Sequence, residues 1–255
     1  MITTNNEQRF RAGLVLVLVL FGMTGLGAQG LDTSSILEQI DAAANFDNTD
    51  FSAEYTIVSQ RPGEERSVTQ ARLFRRDRND QFVLLILLPE VQRGQGYLQI
   101  EDNVWFYDPE ARRFERTTLQ ENVQDSDAQN ADFNQLTYAD EYRVVDYERG
   151  TLGRFDTWIL DLAATSDDAT YASTRIWVSV ESPIVLKEEN FSVNGRLMRT
   201  LFFPRYVSVG GRFLPSQILI VDNLNEGEQT QVTLADPSVA QIDRKSTRLN
   251  SSHYS

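Results

Sequence analysis

The chain has no cysteine and, in 255 residues, a single histidine. Without cysteine there are no disulfides, no thiolate nucleophile and no cysteine-ligated metal. His253 falls in a terminal stretch set apart below, so Ser-His-Asp, Cys-His and histidine-based zinc sites are excluded with it. Lysine is nearly as scarce, occurring only at Lys187 and Lys245, so arginine carries almost all the positive charge. The 24 basic residues face 37 acidic ones, for a formal charge of −13. That balance disfavours nucleic acid as a partner and repels anionic headgroups. No Pro- or Gly/Ser-rich linker divides the chain, which makes a single domain the expectation.

The two ends read differently from the rest. Arg9 and Arg11 precede the apolar run Ala12 to Met23, which is short for a span of about 20 residues, and small residues follow at Gly25, Gly27 and Ala28. Residues 1–28 therefore read as a cleaved signal peptide, and with no cysteine near the cleavage point the mature protein is expected to be soluble and not a lipoprotein. Residues 243–255, with the basic, Ser-rich stretch DRKSTRLNSSH, read as a non-native, adapter-derived tail. The expected domain is residues 29–242.

Within it, Asp32 to Phe46 places Ile36, Leu37, Ile40 and Ala44 on one face, which predicts an amphipathic helix opened by the capping-box pattern Ser35-x-x-Glu38. The period then changes to two. Phe51, Ala53, Tyr55 and Ile57 alternate with Ser52, Glu54 and Thr56, the pattern of a strand with one buried face. Further strands are predicted at 67–75, 81–88, 97–101, 104–107 and 114–118, and again at 142–149, 157–162, 175–180, 184–193, 197–207, 213–222 and 229–234. Between these two runs, 125–142 suits a short helix or an irregular crossing. Asn194-Gly195, Gly210-Gly211 and Glu226-Gly227 are tight-turn dipeptides of antiparallel hairpins. The prediction is a large antiparallel meander with few helices. Its apolar face is covered either by those helices around a cavity, or by closure into a filled barrel or sandwich.

Little catalytic chemistry is legible. Acidic residues are abundant enough to supply an acid–base pair, but no spacing singles one out, and the chain reads as a non-enzyme. Asp125, Asp127, Asn130 and Asp132 are rich in oxygen, yet their spacing departs from the EF-hand loop, and a solvated, helix-capping loop explains them better. Arg93-Gly94-x-Gly96 opens no helix and reads as a turn. No metal or cofactor is expected.

The stretch Asp102-Asn103-Val104-Trp105-Phe106-Tyr107-Asp108-Pro109 places an acidic turn before an aromatic strand and a second reversal. Together with Asp50-Phe51-Ser52-Ala53-Glu54-Tyr55 and Leu73-Phe74-Arg75-Arg76-Asp77-Arg78, it resembles the outer-membrane lipoprotein-sorting proteins, which are periplasmic lipoprotein carriers. The resemblance covers Asp32 to about Thr118, with a matching run of strands beyond. It implies an open antiparallel β half-barrel with a helical lid over a cavity for lipoprotein acyl chains. Also implied are a periplasmic location, monomeric state, an inner-membrane transporter that supplies the cargo, and an outer-membrane receptor or membrane that accepts it. An arginine of the family that holds the lid shut is best matched by Arg76, with Arg75 as the neighbour on the opposite face. Alternation with either face inward offers Tyr55, Ile57, Phe74, Phe82, Leu84, Ile86, Leu98, Ile100, Trp105, Tyr107, Trp158 and Trp177 as cavity or core residues. A binding module of the same fold, sensing lipoproteins or assisting an exporter, is the alternative.

Overall fold

The computed structural model describes residues 31–167 and 169–241. The leader, its cleavage point and the 243–255 tail lie outside them. Thirteen strands form one sheet: β1 Thr49–Gln60, β2 Ser67–Arg76, β3 Gln81–Leu88, β4 Gly96–Ile100, β5 Asn103–Asp108, β6 Arg113–Thr117, β7 Tyr142–Leu152, β8 Phe155–Ala164, β9 Ser173–Ser179, β10 Val185–Phe191, β11 Leu197–Val209, β12 Arg212–Asp222 and β13 Gln229–Gln241. Every pairing is antiparallel. In spatial order they run β6-β5-β4-β3-β2-β1-β13-β12-β11-β10-β9-β8-β7. Two meanders, β1–β6 and β7–β13, are thus joined where the first strand pairs with the last. The sheet is open, with β6 and β7 as its edges. The chain between these edges, residues 118–141, must cross from one end of the sheet to the other.

Alternation decides which face is covered. In β2, Thr69, Ala71, Leu73 and Arg75 are buried while Val68, Gln70, Arg72, Phe74 and Arg76 are exposed. The buried parities of β1 to β4 and β11 to β13 supply Phe51, Ile57, Leu73, Phe82, Leu84, Ile86, Leu201, Ile220 and Val232 to one core. Val123, Ala128 and Phe133 of the crossing and Phe46 beyond the first helix complete it.

That helix, α1 Thr33–Ala44, buries Ile36, Leu37, Ile40 and Ala44, as its periodicity predicts. Burying each large aliphatic side chain contributes about 1.5–3 kcal/mol, which holds in place a helix too short to persist alone. Its cap differs from the predicted box. Asp32 accepts a hydrogen bond from the Ser35 N–H at 3.3 Å, while the Ser35 hydroxyl accepts one from the Gln39 side chain at 3.1 Å. A carboxylate three residues earlier satisfies the first-turn donor, leaving Ser35 inside the helix. The reciprocal box occurs instead in the crossing, where Gln129 and Asp132 bracket a 3₁₀ turn, Asn130–Phe133. A single α-turn, α2 Tyr138–Glu141, follows it.

Turn chemistry fixes register at two places of note. Gly210 and Gly211 have φ of +56° and +81°, the pair of positive values that a two-residue loop between β11 and β12 demands. Between β4 and β5 the loop residues are Glu101 and Asp102, one earlier than the predicted Asp102-Asn103, because Asn103 pairs with Ile100 in the ladder. Glu101 takes the positive φ of +52°.

Candidate functional site

Beneath α1 and the crossing lies a cavity of about 170 Å³. Its apolar wall comes from Ile40, Ala43 and Ala44 of α1, from Leu119, Phe133 and Leu136 of the crossing, and from Leu201, Phe203, Leu214 and Ile218 of β11 and β12. The ring of Tyr55 reaches it from β1 and meets Phe133 edge-on, with centroids 5.2 Å apart. Burial pushes the Tyr55 phenol up to about 12, so it stays neutral.

The cover is fastened by polar groups at several points. Arg75, 7% exposed, pairs with the buried Asp77 at 2.6 Å and donates to Ala44 O at the end of α1 (3.1 Å) and to Asn134 O of the crossing (2.8 Å). Its guanidinium lies over the stacked rings of Phe46 and Phe51 at 5.7 and 5.5 Å. Asp77 also accepts from the Phe46 N–H at 2.6 Å. The Asn45 side chain donates to Leu136 O and accepts from Leu136 N–H, and Arg212 of β12 donates to Ala42 O. Arg76, one residue from Arg75 and therefore on the opposite face, is exposed and pairs with Asp50 at 2.7 Å beside Arg78. The arginine that meets the helix is thus Arg75. The Asp50 pairs hold that carboxyl below its ordinary range, the hydrogen bond from Arg76 contributing most.

Asp41 of α1 joins the two helices by accepting from the Tyr138 and Ala139 N–H groups at 3.1 and 2.8 Å, at the start of α2. Burial pushes its carboxyl from 3.8 up to about 6, outweighing those two hydrogen bonds, with Asp140 and Glu141 adding repulsion. The folded value lies above the unfolded one, so Asp41 favours the folded state in acid and that advantage is lost as pH rises from about 4 to about 6. Asp41→Asn should remove this component, so Tm plotted against pH for wild type minus variant should fall across that window. A flat difference would mean that Asp41 does not titrate there.

A polar wall faces the apolar one. Arg199 of β11 donates to Asp132 of the crossing at 2.7 Å, their side chains 6% and 8% exposed. Burial opposes the charge on Arg199, but Asp132 and Tyr171 outweigh it and raise its pKa. Glu188 of β10 accepts from the Tyr138 hydroxyl, and Tyr206 donates to Val185 O. Burial raises the Glu188 carboxyl above its ordinary range, against lowering contributions from Tyr138, Arg199 and Asn190. The phenols of Tyr138 and Tyr206 are raised too, burial being the main cause in both.

Of the residues expected from alternation, Tyr55 lines this cavity. Ile57, Phe82, Leu84 and Ile86 are buried in the neighbouring core. Phe74 is 48% exposed because β2 turns Leu73 and Arg75 inward, and Ile100 is 40% exposed because β4 buries Tyr97 and Gln99. Leu98, Trp105 and Tyr107 share that outward parity and are half-buried, Tyr107 against Phe114 at 4.8 Å. Trp177 lies 4.1 Å from the Lys187 ammonium, and Trp158 packs on Tyr147 and Arg149; neither lines the cavity.

The polar wall was missed, although it left a signal. Arg199 shares a parity with Leu201 and Phe203, so a charged group occupies a position where alternation calls for an apolar one, whereas Glu188 and Asn190 join Val185 at the cavity across a register shift in β10 that alternation does not foresee. In the Asp125 cluster, Asp127 accepts from Thr230 at 2.8 Å and Asp132 from the Gln129 N–H at 2.8 Å. Asp127 also approaches Asp222 and Glu228. Asp222 accepts from the Leu224 and Asn225 N–H groups, and Glu228 pairs with Arg61. Gly94 occupies a turn with φ of +85°. No helix among the described residues is long and apolar enough to cross a membrane.

An open antiparallel sheet covered by short helices over a cavity is the LolA-like fold. A LolA superfamily protein from Nitrosomonas europaea superposes with a TM-score of 0.72 at 22% identity, over 84% of this chain and 96% of that one. An outer membrane lipoprotein-sorting protein domain from Vibrio parahaemolyticus gives 0.71 at 17% identity, over 81% and 92%. A DUF1329 family protein from Desulfovibrio piger gives 0.70 at 19% identity, over 81% and 91%. The chain belongs to the family whose model, described as "uncharacterized protein", matches residues 78–246. No curated protein matches it.

Proposed function

We propose that the protein is a periplasmic carrier that holds the acyl chains of lipoproteins or related lipids in this cavity and shuttles them from the inner to the outer membrane. The observation that carries this reading is the apolar wall shared by α1, the crossing and β11–β12. Each buried CH₂ contributes about 0.8 kcal/mol, so a carrier need only offer such a wall to offset the cost of moving a long chain through water. The cavity is close in size to one that holds a benzene-sized guest, about 150 Å³. A long chain therefore needs α1 and the crossing to move outward, and the polar ties of Arg75, Asn45 and Asp41 act as the latch. Carriage needs no cofactor and no catalytic residue. An inner-membrane transporter supplies the cargo, and an outer-membrane receptor or the membrane accepts it.

Mass spectrometry of lipid extracted from the chain, recovered from a bacterial periplasm without detergent, tests this. The expected result is acylated lipid or lipoprotein near one per protein. A protein that emerges empty and still takes up no lipid when offered it would instead be a protein-binding module of the same fold.

A further inference from the structure

We infer that the cavity selects an amphiphile whose polar end is an ammonium group, seated against Glu188. The inference rests on the acyl-chain reading and deepens it by naming the headgroup. The charges of the polar wall are not balanced. Arg75 is committed to Asp77, and Arg199 to Asp132. Glu188 has the Tyr138 hydroxyl and the Asn190 side chain as hydrogen-bond partners, but no arginine or lysine within ion-pair reach among the described residues. Glu141, also on the wall, takes a hydrogen bond from Thr137 at 2.6 Å and no cation.

A carboxylate removed from water is costly unless a counter-charge accompanies it. Arg199 favours the charged form of Glu188 only from beyond ion-pair reach and is itself paired with Asp132, whereas a ligand ammonium would supply a direct ion pair and donors together. Tyr138, Tyr142, Tyr171 and Tyr206 line the same part of the cavity, and aromatic rings favour a cation further. A carboxylate or phosphate head would meet Glu188 and Glu141 with the charges of both arginines already paired to Asp77 and Asp132. An alcohol would gain a hydrogen bond without the charge. The apolar wall opposite leaves the chain of the amphiphile where chain length, not charge, sets its affinity.

The test is displacement of a cavity-bound fluorophore from the full chain by dodecylamine, dodecanol and dodecanoate at neutral pH, with ethylamine controlling for the acidic surface. Dodecylamine should displace at about tenfold lower concentration than dodecanoate, the ratio expected of one charge-assisted hydrogen bond. Glu188→Gln should bring the amine level with the alcohol.

Amine and carboxylate within twofold of each other in the wild-type protein would overturn the assignment without recourse to the variant. So would displacement by ethylamine, or an amine preference that survives in Glu188→Gln. Failure of all three long-chain compounds would overturn the acyl-chain reading, and the headgroup with it. Where the amine is preferred, comparing a phosphatidylethanolamine with a diacylated, lysine-bearing lipopeptide tells whether lipid or peptide brings the ammonium.

Discussion

Replacing Arg75 with leucine should lower the free energy of unfolding by about 3–5 kcal/mol, the cost of removing one partner of a buried ion pair. Three groups lose their donor together: the Asp77 carboxylate, Ala44 O and Asn134 O. Asp77 keeps only the Phe46 N–H, too little to satisfy a charge that is 3% exposed. The loss should not be uniform. Amide exchange at α1 and in the crossing should accelerate well beyond that of β2 and β3, because the guanidinium ties both of those segments to the sheet at once. Lipid uptake and release should quicken in parallel. Arg76→Leu is the matched control: it removes an exposed pair with Asp50, worth about 0–1 kcal/mol. Equal effects of the two substitutions on stability and exchange would show that Arg75 is no latch.

Arg199→Met should cost about as much, again about 3–5 kcal/mol, because it leaves Asp132 charged and buried. The double variant Arg199→Met with Asp132→Leu should recover most of that loss. With both charges gone, what remains is roughly 1 kcal/mol for the capping bond that the Gln129 N–H donates to Asp132. Urea denaturation of the two single variants and the double gives the coupling directly. If the double variant is as unstable as Arg199→Met, the damage comes from lost packing in the cavity wall rather than from a stranded charge. Both predictions concern ties between the sheet and its cover, where a small number of polar contacts holds the cover over the cavity.

The strands were legible because each needs only its own neighbours. Gln81 to Leu88 has the same bounds in prediction and structure, and the other strands differ by a few residues at their ends except β13, which runs on from the predicted 234 to Gln241. Period-two alternation and the Gly turns are local signals, and an antiparallel meander needs no long-range information beyond them. The helix was legible for the same reason, while its cap moved to Asp32 because competing acceptors differ by only fractions of a kcal/mol.

Face and partner were another matter. Alternation shows that Phe74 and Arg75 point opposite ways, but which way is inward depends on where α1 and the crossing lie, some 30 to 60 residues distant in the chain. That placement made Arg75 rather than Arg76 the residue that meets the helix, and put Trp105 and Tyr107 on the outward parity. It also assembled the cavity wall from α1, Tyr55 of β1, Arg75 of β2, the crossing, β10, β11 and β12, the last four lying beyond the stretch that carried the family resemblance. The sequence by itself determined the strands, their turns and the covering helix, since these follow from periods of 2 and 3.6 residues. Only the tertiary structure decided that Arg75, Asp132, Glu188 and Arg199 line one cavity, because burial and charge pairing are properties of what surrounds a side chain and not of its place in the chain.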